Sequence, residues 1–227
     1  MPEVRAPLSE KIILRIFRDC GAILTGGHYV LASGECSDTY VEKTLVTNSS
    51  AYSQLLCEEI ARRWADDDID VVVGPSFAGI KIAALVALEL YHITGKDIPS
   101  MYTEKDSDGI QVFEKNRDLI AGKRVLVVDD VGTTGGSIRM VIKECQDAGA
   151  IVVGCHILID RSRGRITAEG LGVETYRYLA RMDIVSHPEG KCPYCEKKIP
   201  IDTRHGHGKR HLRMHPEKAA WGGQGQA

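Results

Sequence analysis

The sequence predicts an α/β fold in which helices cover a parallel, doubly wound sheet. Short apolar runs at residues 71–75, 124–128 and 151–159 are rich in valine and isoleucine, as expected of parallel strands buried on both faces. Helix-like segments separate these runs, and strands that alternate with helices across short loops are typical of a doubly wound sheet. Such sheets bind ligands at the carboxyl ends of their strands, so the loops that follow the runs are the candidate sites.

The remaining elements follow from apolar periodicity and from turn residues. Four helices are expected. The first spans residues 9–20, the second begins at residues 47–50, the third spans residues 80–91, and the fourth runs from residue 137 to just before Gly149. Residues 22–46 are strand-like and rich in turn signals, and a further strand is expected near residues 100–103. Residues 104–122 mix charges and glycine with few apolar anchors, which predicts a mobile loop.

Composition limits the classes of function. The chain has 227 residues, of which 43% are hydrophobic and 26% charged, as is ordinary for a globular protein. The net charge of −2 gives no general attraction to nucleic acid or membranes, although residues 188–227 carry a net charge of +4. No apolar stretch is long enough to span a bilayer, and charges interrupt the N-terminus where a signal peptide would be apolar. Seven cysteines without a disulfide pattern favour a cytoplasmic protein.

The most informative segment is residues 124–137, an apolar run that ends in Asp129 and Asp130 and leads into a loop rich in glycine and hydroxyl groups. Glycines allow backbone N–H groups to close around an anion, and the hydroxyl groups add donors at the positive end of the following helix. The two acids suit ribose hydroxyl groups or a Mg²⁺ ion that bridges to phosphates. The alternative is an Asp pair that merely caps a helix. The predicted phosphate-binding residues are Val131, Gly132, Thr133, Thr134, Gly135, Gly136 and Ser137.

Residues 127–137 resemble the phosphoribosyl-pyrophosphate (PRPP) signature of type I phosphoribosyltransferases, and the resemblance covers roughly residues 9–187. It implies a parallel doubly wound sheet with a small hood, Mg²⁺ as cofactor, PRPP and a nucleobase as substrates, and a homodimer. Asp129 and Asp130 would be catalytic residues. So would Lys105, because Glu104-Lys105 resembles the start of the loop that closes over PRPP; the alternative for Lys105 is a plain solvated charge.

A second glycine-bounded loop follows the run at residues 71–75. On its own, such a loop usually serves a tight chain reversal. Beside the Asp-Asp segment, it resembles the loop with which phosphoribosyltransferases hold pyrophosphate. Its residues are Gly74, Pro75, Ser76, Phe77, Ala78 and Gly79.

Two further segments resemble the orotate phosphoribosyltransferases in particular. Residues 27–34, followed by Ser37 and Tyr40, resemble their N-terminal substrate segment. Asp160-Arg161 resembles their strand-end motif, whose arginine meets orotate. An arginine offers paired donors suited to a carboxylate or a pyrimidine carbonyl. The alternative for Arg161 is a surface arginine in a basic run.

Some cationic positions of the family are not matched. Ala32 and Ala78 stand where these enzymes usually carry lysine, and residues 106–109 replace a second lysine and a histidine of the catalytic loop. This difference weakens the identity of the base more than the use of PRPP. The candidate replacements are Lys43, Lys81 and Lys115.

Cys192 and Cys195 form a Cys-x₂-Cys knuckle, which is a strong half-site for tetrahedral zinc. His207 and His211 are predicted to complete a structural zinc site, with His215 as a further histidine nearby. Fifteen residues separate Cys195 from His211, more than the roughly twelve of a nucleic-acid-binding finger. The alternatives are a reduced cysteine pair in a solvated, histidine-rich tail, and a nucleic-acid-binding finger.

The sequence therefore predicts a phosphoribosyltransferase domain at residues 1–187 and a basic, Cys/His-rich tail at residues 188–227. The expected activity is transfer of the 5-phosphoribosyl group from PRPP to orotate, which gives orotidine 5′-monophosphate and pyrophosphate. Two alternatives stay open. One is a phosphoribosyltransferase for a purine or another base, and the other is a PRPP-sensing regulator that binds nucleic acid through the tail without turnover.

Overall fold

The computed structural model describes residues 6–31 and 33–221, which form two compact units. The first unit holds residues 6–16 and 43–183, and the second holds residues 17–42 and 184–221. Ala32, one of the unmatched lysine positions, lies outside the described residues. Within the described ranges, no helix combines the length and apolar character needed to cross a bilayer.

The helices and strands are numbered in chain order. The helices are α1 (Glu10–Asp19), α2 (Lys43–Thr47), α3 (Ser50–Trp64), α4 (Ala78–Thr94), α5 (Gly136–Asp147), α6 (Ala168–Leu171), α7 (Pro193–Glu196) and α8 (Gly208–Met214). The strands are β1 (Ile23–Val30), β2 (Cys36–Val41), β3 (Val71–Pro75), β4 (Ser100–Lys105), β5 (Gln111–Val112), β6 (Arg124–Gly132), β7 (Ile151–Asp160) and β8 (Thr175–Arg181). Two 3₁₀ turns, Arg117–Ile120 and Pro216–Ala220, complete the described elements.

The main sheet belongs to the first unit and has the strand order β5–β4–β3–β6–β7–β8. Its neighbouring strands are parallel except for β5, which pairs antiparallel with β4. The chain leaves β3 toward β4 on one side and returns to β6 on the other, so the strand order reverses between β3 and β6. The predicted α/β class with a largely parallel sheet is confirmed.

Apolar strand residues hold helices against the sheet. Val73 of β3 and Val127 of β6 share one buried cluster with Ile138 and Val141 of α5. Successive side chains of a strand point to opposite faces of the sheet, so Val72 lies on the face opposite to that of Val73. The long helix α4 packs against β3, β4 and β6, and α3 packs against α4. This arrangement fixes the loops at the carboxyl ends of the central strands.

β7 carries a glycine where a helix side chain comes close. A Cβ atom on Gly154 would overlap the ring of Trp64, the last residue of α3. Trp64 Nε1 donates a 2.8 Å hydrogen bond to Nδ1 of His156, and the guanidinium carbon of Arg177 lies 4.1 Å from the Trp64 ring centre. Burial lowers the pKa of His156 well below its usual value, so this ring stays neutral. The indole thus links α3 to both β7 and β8.

The second unit is built on the β1–β2 hairpin, to which the C-terminal tail attaches through backbone hydrogen bonds. Cys36 and His187 exchange both of their backbone hydrogen bonds, at 2.9 and 2.8 Å. The amide of Asp202 donates a 2.8 Å hydrogen bond to the carbonyl of His28. The unit therefore joins residues 17–42 to the tail, a grouping that the predicted division at residue 187 did not include.

Residues 104–122 contain regular structure that the sequence does not predict. β4 continues to Lys105, the chain returns as β5, and a 3₁₀ turn follows. The buried side chains of Phe113 and Ile120 anchor the segment. The carboxylate of Glu144 accepts from the amide of Phe113 at 3.2 Å and from Arg117 Nε at 2.8 Å. The segment is therefore not the irregular loop that the sequence predicts, because two apolar side chains and one carboxylate hold its strand and its 3₁₀ turn in place.

Candidate functional site

The loops predicted to bind substrate follow adjacent strands of the main sheet. Pro75 at the end of β3 pairs with Thr103 of β4, and Gly132 at the end of β6 pairs with Asp160 at the end of β7. β3 and β6 are themselves neighbours. The carboxyl ends of four strands therefore meet at one edge of the sheet, on both sides of the point where the strand order reverses.

Asp129 and Asp130 form a buried acid pair near the end of β6, with 9% and 2% of their surfaces exposed. The amide of Asp130 donates 2.8 Å to Oδ1 of Asp129, and the amide of Val131 donates 2.6 Å to Oδ1 of Asp130. Burial, and then the neighbouring Asp130 charge, raise the pKa of Asp129 above its usual value. Two carboxyl groups in so little water favour a cation or hydroxyl donors beside them.

Lys43, the first residue of α2, supplies a cation to this pair. Its Nζ lies 3.0 Å from Oδ1 and 2.8 Å from Oδ2 of Asp130. The Lys43 side chain is 41% exposed and that of Asp130 is 3% exposed, so the ion pair lies between solvent and interior. Of the other candidate replacements, Lys81 donates to Asn48 Oδ1 at 2.8 Å and Lys115 is exposed. Lys43 is thus the candidate that the fold brings to the acid pair.

Glycines shape the turn from β6 into α5. A Cβ atom on Gly132 would overlap the ends of the Ile157 and Ile166 side chains, so any other residue there would force both to shift. Gly135 has a φ of +75°, in the left-handed region that favours glycine, and α5 begins at the next residue, Gly136. The turn therefore presents backbone N–H groups at the start of a twelve-residue helix, where an anion is favoured.

Hydroxyl groups line the same turn. Thr133 is half-buried, while Thr134 and Ser137 are exposed. Thr134 Oγ1 accepts a 3.4 Å hydrogen bond from the amide of Gly136, which places this hydroxyl over the first turn of the helix. Together with Val131, these residues complete the consecutive segment that the sequence predicts to hold phosphate.

The loop after β3 closes tightly on itself. A Cβ atom on Gly74 would overlap the backbone of Gly79, and a Cβ atom on Gly79 would overlap the ring of Pro75. The loop therefore requires glycine at both ends for close backbone packing, which is a physical reason for its glycine-bounded pattern.

The middle of this loop leads directly into α4. The peptide bond between Ser76 and Phe77 is cis, and Phe77 is 85% exposed. Ala78 is the first residue of α4, a helix of 17 residues. The loop thus places the positive end of a long helix at the same edge of the sheet as the acid pair.

Arg161 follows β7 and is only 6% exposed, which does not fit the surface alternative. Its amide donates a 2.9 Å hydrogen bond to the carbonyl of Gly132, so the residue lies beside the end of β6. The preceding residue, Asp160, is fully buried. Its carboxylate accepts a 2.7 Å hydrogen bond from the amide of Ser162 and lies 3.5 Å from Nη2 of Arg181. The strand-end Asp-Arg pair is therefore held firmly next to the turn that is predicted to bind phosphate.

Comparison with known proteins identifies the family. A family model described as a phosphoribosyl transferase domain matches residues 51–173. The orotate phosphoribosyltransferase of Pelotomaculum thermopropionicum is 38% identical over 188 residues, which is 83% of this chain and 93% of that protein. The orotate phosphoribosyltransferase of Desulforamulus reducens is 34% identical over 193 residues, 85% of this chain and 95% of that protein. This chain belongs to the phosphoribosyltransferase family.

Solved structures agree with this assignment of the fold. A crystal structure of the Mycobacterium tuberculosis orotate phosphoribosyltransferase in complex with PRPP superposes with a TM-score of 0.57 and 27% identity, covering 76% of this chain and 95% of that chain. The Aeropyrum pernix orotate phosphoribosyltransferase gives a TM-score of 0.59 and 26% identity, covering 75% and 93%. The predicted family and fold are confirmed.

Lys105 is the exposed last residue of β4 in this phosphoribosyltransferase, and it pairs with Gln111 of β5. The residues that replace the family's second lysine and histidine form the turn between these strands. Asp106 Oδ1 accepts 2.9 Å hydrogen bonds from the amides of Asp108 and Ile110. The acidic replacement therefore stabilises a turn of the β4–β5 hairpin and supplies no cation.

A group of potential metal ligands lies in the second unit of this phosphoribosyltransferase. Ligand atoms of His28, Cys36, Cys192 and Cys195 all lie within 4.8 Å of one another. Burial, and then the charges of the two other cysteines, raise the pKa of the Cys36 thiol. The structure thus brings the predicted Cys192–Cys195 knuckle to two residues of the β1–β2 hairpin.

The predicted ligands His207 and His211 lie outside this group. His211 belongs to a second group, with Glu189 and His215, and within residues 6–31 and 33–221 His207 is in neither group. Both predicted histidine ligands lie downstream of the knuckle, whereas residues 27–34 are predicted to bind substrate. The available signals were Cys36 as an unassigned cysteine and His28 within an apolar segment.

Proposed function

We propose that this phosphoribosyltransferase transfers the 5-phosphoribosyl group from PRPP to orotate, forming orotidine 5′-monophosphate and pyrophosphate for pyrimidine nucleotide synthesis. One observation carries most of the proposal: a buried acid pair at the end of β6 is followed directly by a glycine-rich, hydroxyl-bearing turn at the start of α5. The orotate phosphoribosyltransferases that cover most of this chain support the choice of orotate.

In this proposal, the acid pair and the following turn hold the ribose 5-phosphate half of PRPP. Asp129 and Asp130 accept hydrogen bonds from the ribose hydroxyl groups. Backbone N–H groups and hydroxyls of residues 131–137 bind the 5′-phosphate at the positive end of α5. One continuous segment binds both the ribose and its 5′-phosphate, because β6 ends only two residues after Asp130.

The loop of residues 74–79 holds the pyrophosphate, with the start of α4 facing the anion and Lys105 closing over it. Arg161 orients orotate through paired donors. Its burial and its position beside Gly132 support this role, because a fixed guanidinium orients a planar base better than a mobile one.

The donor set at the acid pair also fits Mg²⁺. Buried carboxylates at a strand end, beside a phosphate-binding turn, are the oxygen ligands that Mg²⁺ takes together with substrate phosphates. Asp129 and Asp130 would hold the ion or the waters around it. When bound, Mg²⁺ neutralises charge on the pyrophosphate that leaves.

The chain's own groups lower the barrier mainly by position and charge. As the bond from ribose C1 to pyrophosphate breaks, positive charge develops on the ring, and the carboxylates stabilise it. A nitrogen of orotate, held by Arg161, then forms the bond to C1 from the opposite face. In the absence of substrate, the ammonium of Lys43 lies 2.8 Å from Oδ2 of Asp130 and so places a positive charge beside the acid pair.

Several broader features belong to the same proposal. The resemblance of residues 104–105 to the family's catalytic loop supports a homodimer in which Lys105 acts on PRPP, in the same or the partner subunit. All seven cysteines are free, which supports a reducing cytoplasm. A structural zinc in the second unit, and a division at residue 187 between catalytic domain and tail, complete the proposal.

The decisive experiment measures pyrophosphate release from PRPP and Mg²⁺ with orotate, uracil, hypoxanthine, guanine, xanthine or adenine offered separately. Release with orotate alone is the expected result. Release with a purine would keep the mechanism and overturn the choice of base. PRPP binding without release for any base would favour a regulator, and binding of RNA or DNA that weakens steeply with salt would then support it.

A further inference from the structure

Four potential metal ligands of the second unit come from three separate segments of the chain. His28 lies on β1, Cys36 is the first residue of β2, and Cys192 and Cys195 flank the start of α7. His28, Cys36 and Cys192 are each at most 1% exposed, so the group is closed to solvent on most sides. A catalytic metal needs an open position, whereas a closed shell of four protein ligands is typical of a structural site.

Three of the six distances within the group match the edges of a metal-centred tetrahedron, and all six are at most 4.8 Å. His28 Nε2 lies 3.7 Å from the sulfur of Cys192 and 3.6 Å from that of Cys195, and the sulfurs of Cys36 and Cys195 are 3.9 Å apart. Zinc bound at about 2.3 Å to sulfur and about 2.0 Å to nitrogen has sulfur–sulfur edges of about 3.8 Å and sulfur–nitrogen edges of about 3.5 Å. The four side chains therefore already surround a space of the right size for zinc.

The surroundings fix His28 in the orientation that a metal ligand requires. Its Nδ1 lies 2.8 Å from the carbonyl oxygen of Ile199, which can only accept, so Nδ1 carries the proton and Nε2 directs its lone pair at the sulfurs. The ring of His28 stacks near Trp221, at 6.3 Å and 12° between planes, and lies 5.7 Å from the ring of Tyr194. These rings keep water away from the ligand nitrogen.

The knuckle shows the backbone geometry of a thiolate site. The amide of Cys195 donates a 3.4 Å hydrogen bond to the sulfur of Cys192, which stabilises negative charge on that sulfur. Pro193 follows Cys192 and begins α7, and this fixes the turn that brings the two sulfurs together. A sulfur–sulfur separation of 3.9 Å between Cys36 and Cys195 is far longer than the roughly 2.05 Å of a disulfide.

The apolar core around this group is small. Its buried members are Val30, Cys36, Cys192 and Ile201, so two of the four are cysteines of the group itself. A cluster with so little buried apolar surface is of the kind that a disulfide or a structural metal usually reinforces. A metal bound here would bridge the hairpin and the tail, which are distant in sequence, and would so constrain the unfolded chain.

From this geometry, we propose that His28, Cys36, Cys192 and Cys195 bind one structural Zn²⁺ that fastens the C-terminal tail to the β1–β2 hairpin. The hairpin contains residues 27–30 on β1, so the metal also holds in place part of the segment that resembles the orotate-binding segment of the family. The zinc has no direct part in phosphoribosyl transfer, and its presence does not depend on which base the enzyme accepts.

The second group, at Glu189, His211 and His215, is already occupied by a side-chain cation. Lys218 Nζ lies 2.6 Å from Oε1 of Glu189 and 3.1 Å from Nε2 of His211. An ammonium between these ligand atoms satisfies the carboxylate and repels a divalent ion. This contrast assigns the zinc to the cysteine-rich group and removes His211 from the ligand set.

The test begins with the full-length, unmodified protein, purified without chelator and supplied with Zn²⁺. Elemental analysis should find about one zinc per chain, and X-ray absorption at the zinc edge should show three sulfurs at about 2.3 Å and one nitrogen at about 2.0 Å. A shell with two sulfurs and two nitrogens, or with mostly oxygen, would overturn the ligand set. No zinc after reconstitution would overturn the site.

Matched variants then separate the ligands from their neighbours. His28→Ala and Cys36→Ser should each weaken zinc binding by more than about 100-fold, because changes even beyond the ligand shell cost 10- to 100-fold. His211→Ala and Cys20→Ser serve as controls of the same residue types and should bind zinc like the unmodified protein. Loss of zinc in His211→Ala with retention in His28→Ala would refute the proposal. If the ligand variants do not fold, the X-ray absorption spectrum of the unmodified protein still tests the proposed ligand set.

Discussion

The acid-pair turn of residues 129–137 and the Cys/His group of the second unit are both proposed sites for charged ligands, but they are built in opposite ways. The turn is one continuous segment with hard oxygen donors, exposed hydroxyls and a single partly exposed lysine beside Asp130. The Cys/His group draws soft donors from three segments and encloses them. The first arrangement leaves room for a ligand that must enter and leave, while the second suits an ion that stays.

The two sites also differ in what their removal should affect. Loss of donors from an open turn removes interactions with substrate while the sheet beneath remains packed, so activity should fall more than stability. Loss of the ion from a closed group removes a link between chain segments, so stability of the second unit should fall first. Experiments that measure both activity and stability after a change at each site test this difference.

The largest effect should come from the double substitution Asp129→Asn with Asp130→Asn. Removing two preorganised carboxyl groups from the site should lower kcat/KM by about 10⁴-fold or more, since a single electrostatic donor is typically worth 10²–10³. Steady-state pyrophosphate release measures this loss. Asp147→Asn, an exposed acid at the end of α5, is the matched control and should retain activity. Substantial turnover in the double variant would show that the acid pair is not the catalytic centre.

Removal of the zinc should have the next largest effect, and mainly on stability. Loss of about 4 kcal/mol of metal stabilisation would lower the melting temperature by on the order of 10 °C for a chain of this size. Calorimetry before and after chelator treatment measures the shift, and Zn²⁺ but not Mg²⁺ should reverse it. An unchanged melting temperature in metal-free protein would mean that the closed group does not stabilise the second unit.

Lys43→Met should produce a moderate loss of stability. The substitution removes the ammonium 2.8 Å from a carboxylate that is 3% exposed, which should cost about 1–3 kcal/mol, less than a fully buried pair because Lys43 is 41% exposed. Urea unfolding measures the difference. Lys81→Met, which removes an exposed hydrogen bond to Asn48, should change stability little. Equal losses in both variants would show that Lys43 has no special role at the acid pair.

The smallest effect, measured over a single pH unit, should be a pH dependence of stability that originates in Asp129. Its folded pKa is raised to about 8, first by burial and then by Asp130, so the folded state keeps a proton that the unfolded state releases near pH 4. Stability is therefore greatest below pH 4 for this group and falls as pH rises toward 8, by at most about 1.4 kcal/mol per pH unit. Urea midpoints between pH 5 and pH 8 measure the slope in substrate-free protein. Asp129→Asn should flatten this slope of stability against pH. An unchanged slope in that variant would show that other groups cause the pH dependence.

The parts of the molecule that the sequence predicts are those in which neighbouring residues act together. The β6 strand, Asp129, Asp130 and the following glycines are consecutive, and each constraint is local: an apolar strand, a left-handed glycine, a helix start. Lys43 could only be named among three candidates, because its distance to Asp130 depends on how α2 packs.

The ligand set of the second unit could not be predicted in the same way. The spacing of Cys192 and Cys195 is a local signal, but the pairing of the tail with the hairpin is set by backbone hydrogen bonds such as those between Cys36 and His187. The β8 strand was also missed, because Arg177 and Arg181 interrupt its apolar pattern while stacking on neighbouring aromatic rings.

The chain has two tryptophans, and they fall in different units: Trp64 lies against β7 in the first, and Trp221 stacks near His28 in the second. Each unit therefore contains its own intrinsic fluorophore. With Trp64→Phe, emission would follow the metal group alone, and with Trp221→Phe it would follow the sheet alone. The order in which the two units unfold can therefore be observed by intrinsic fluorescence, without any attached dye.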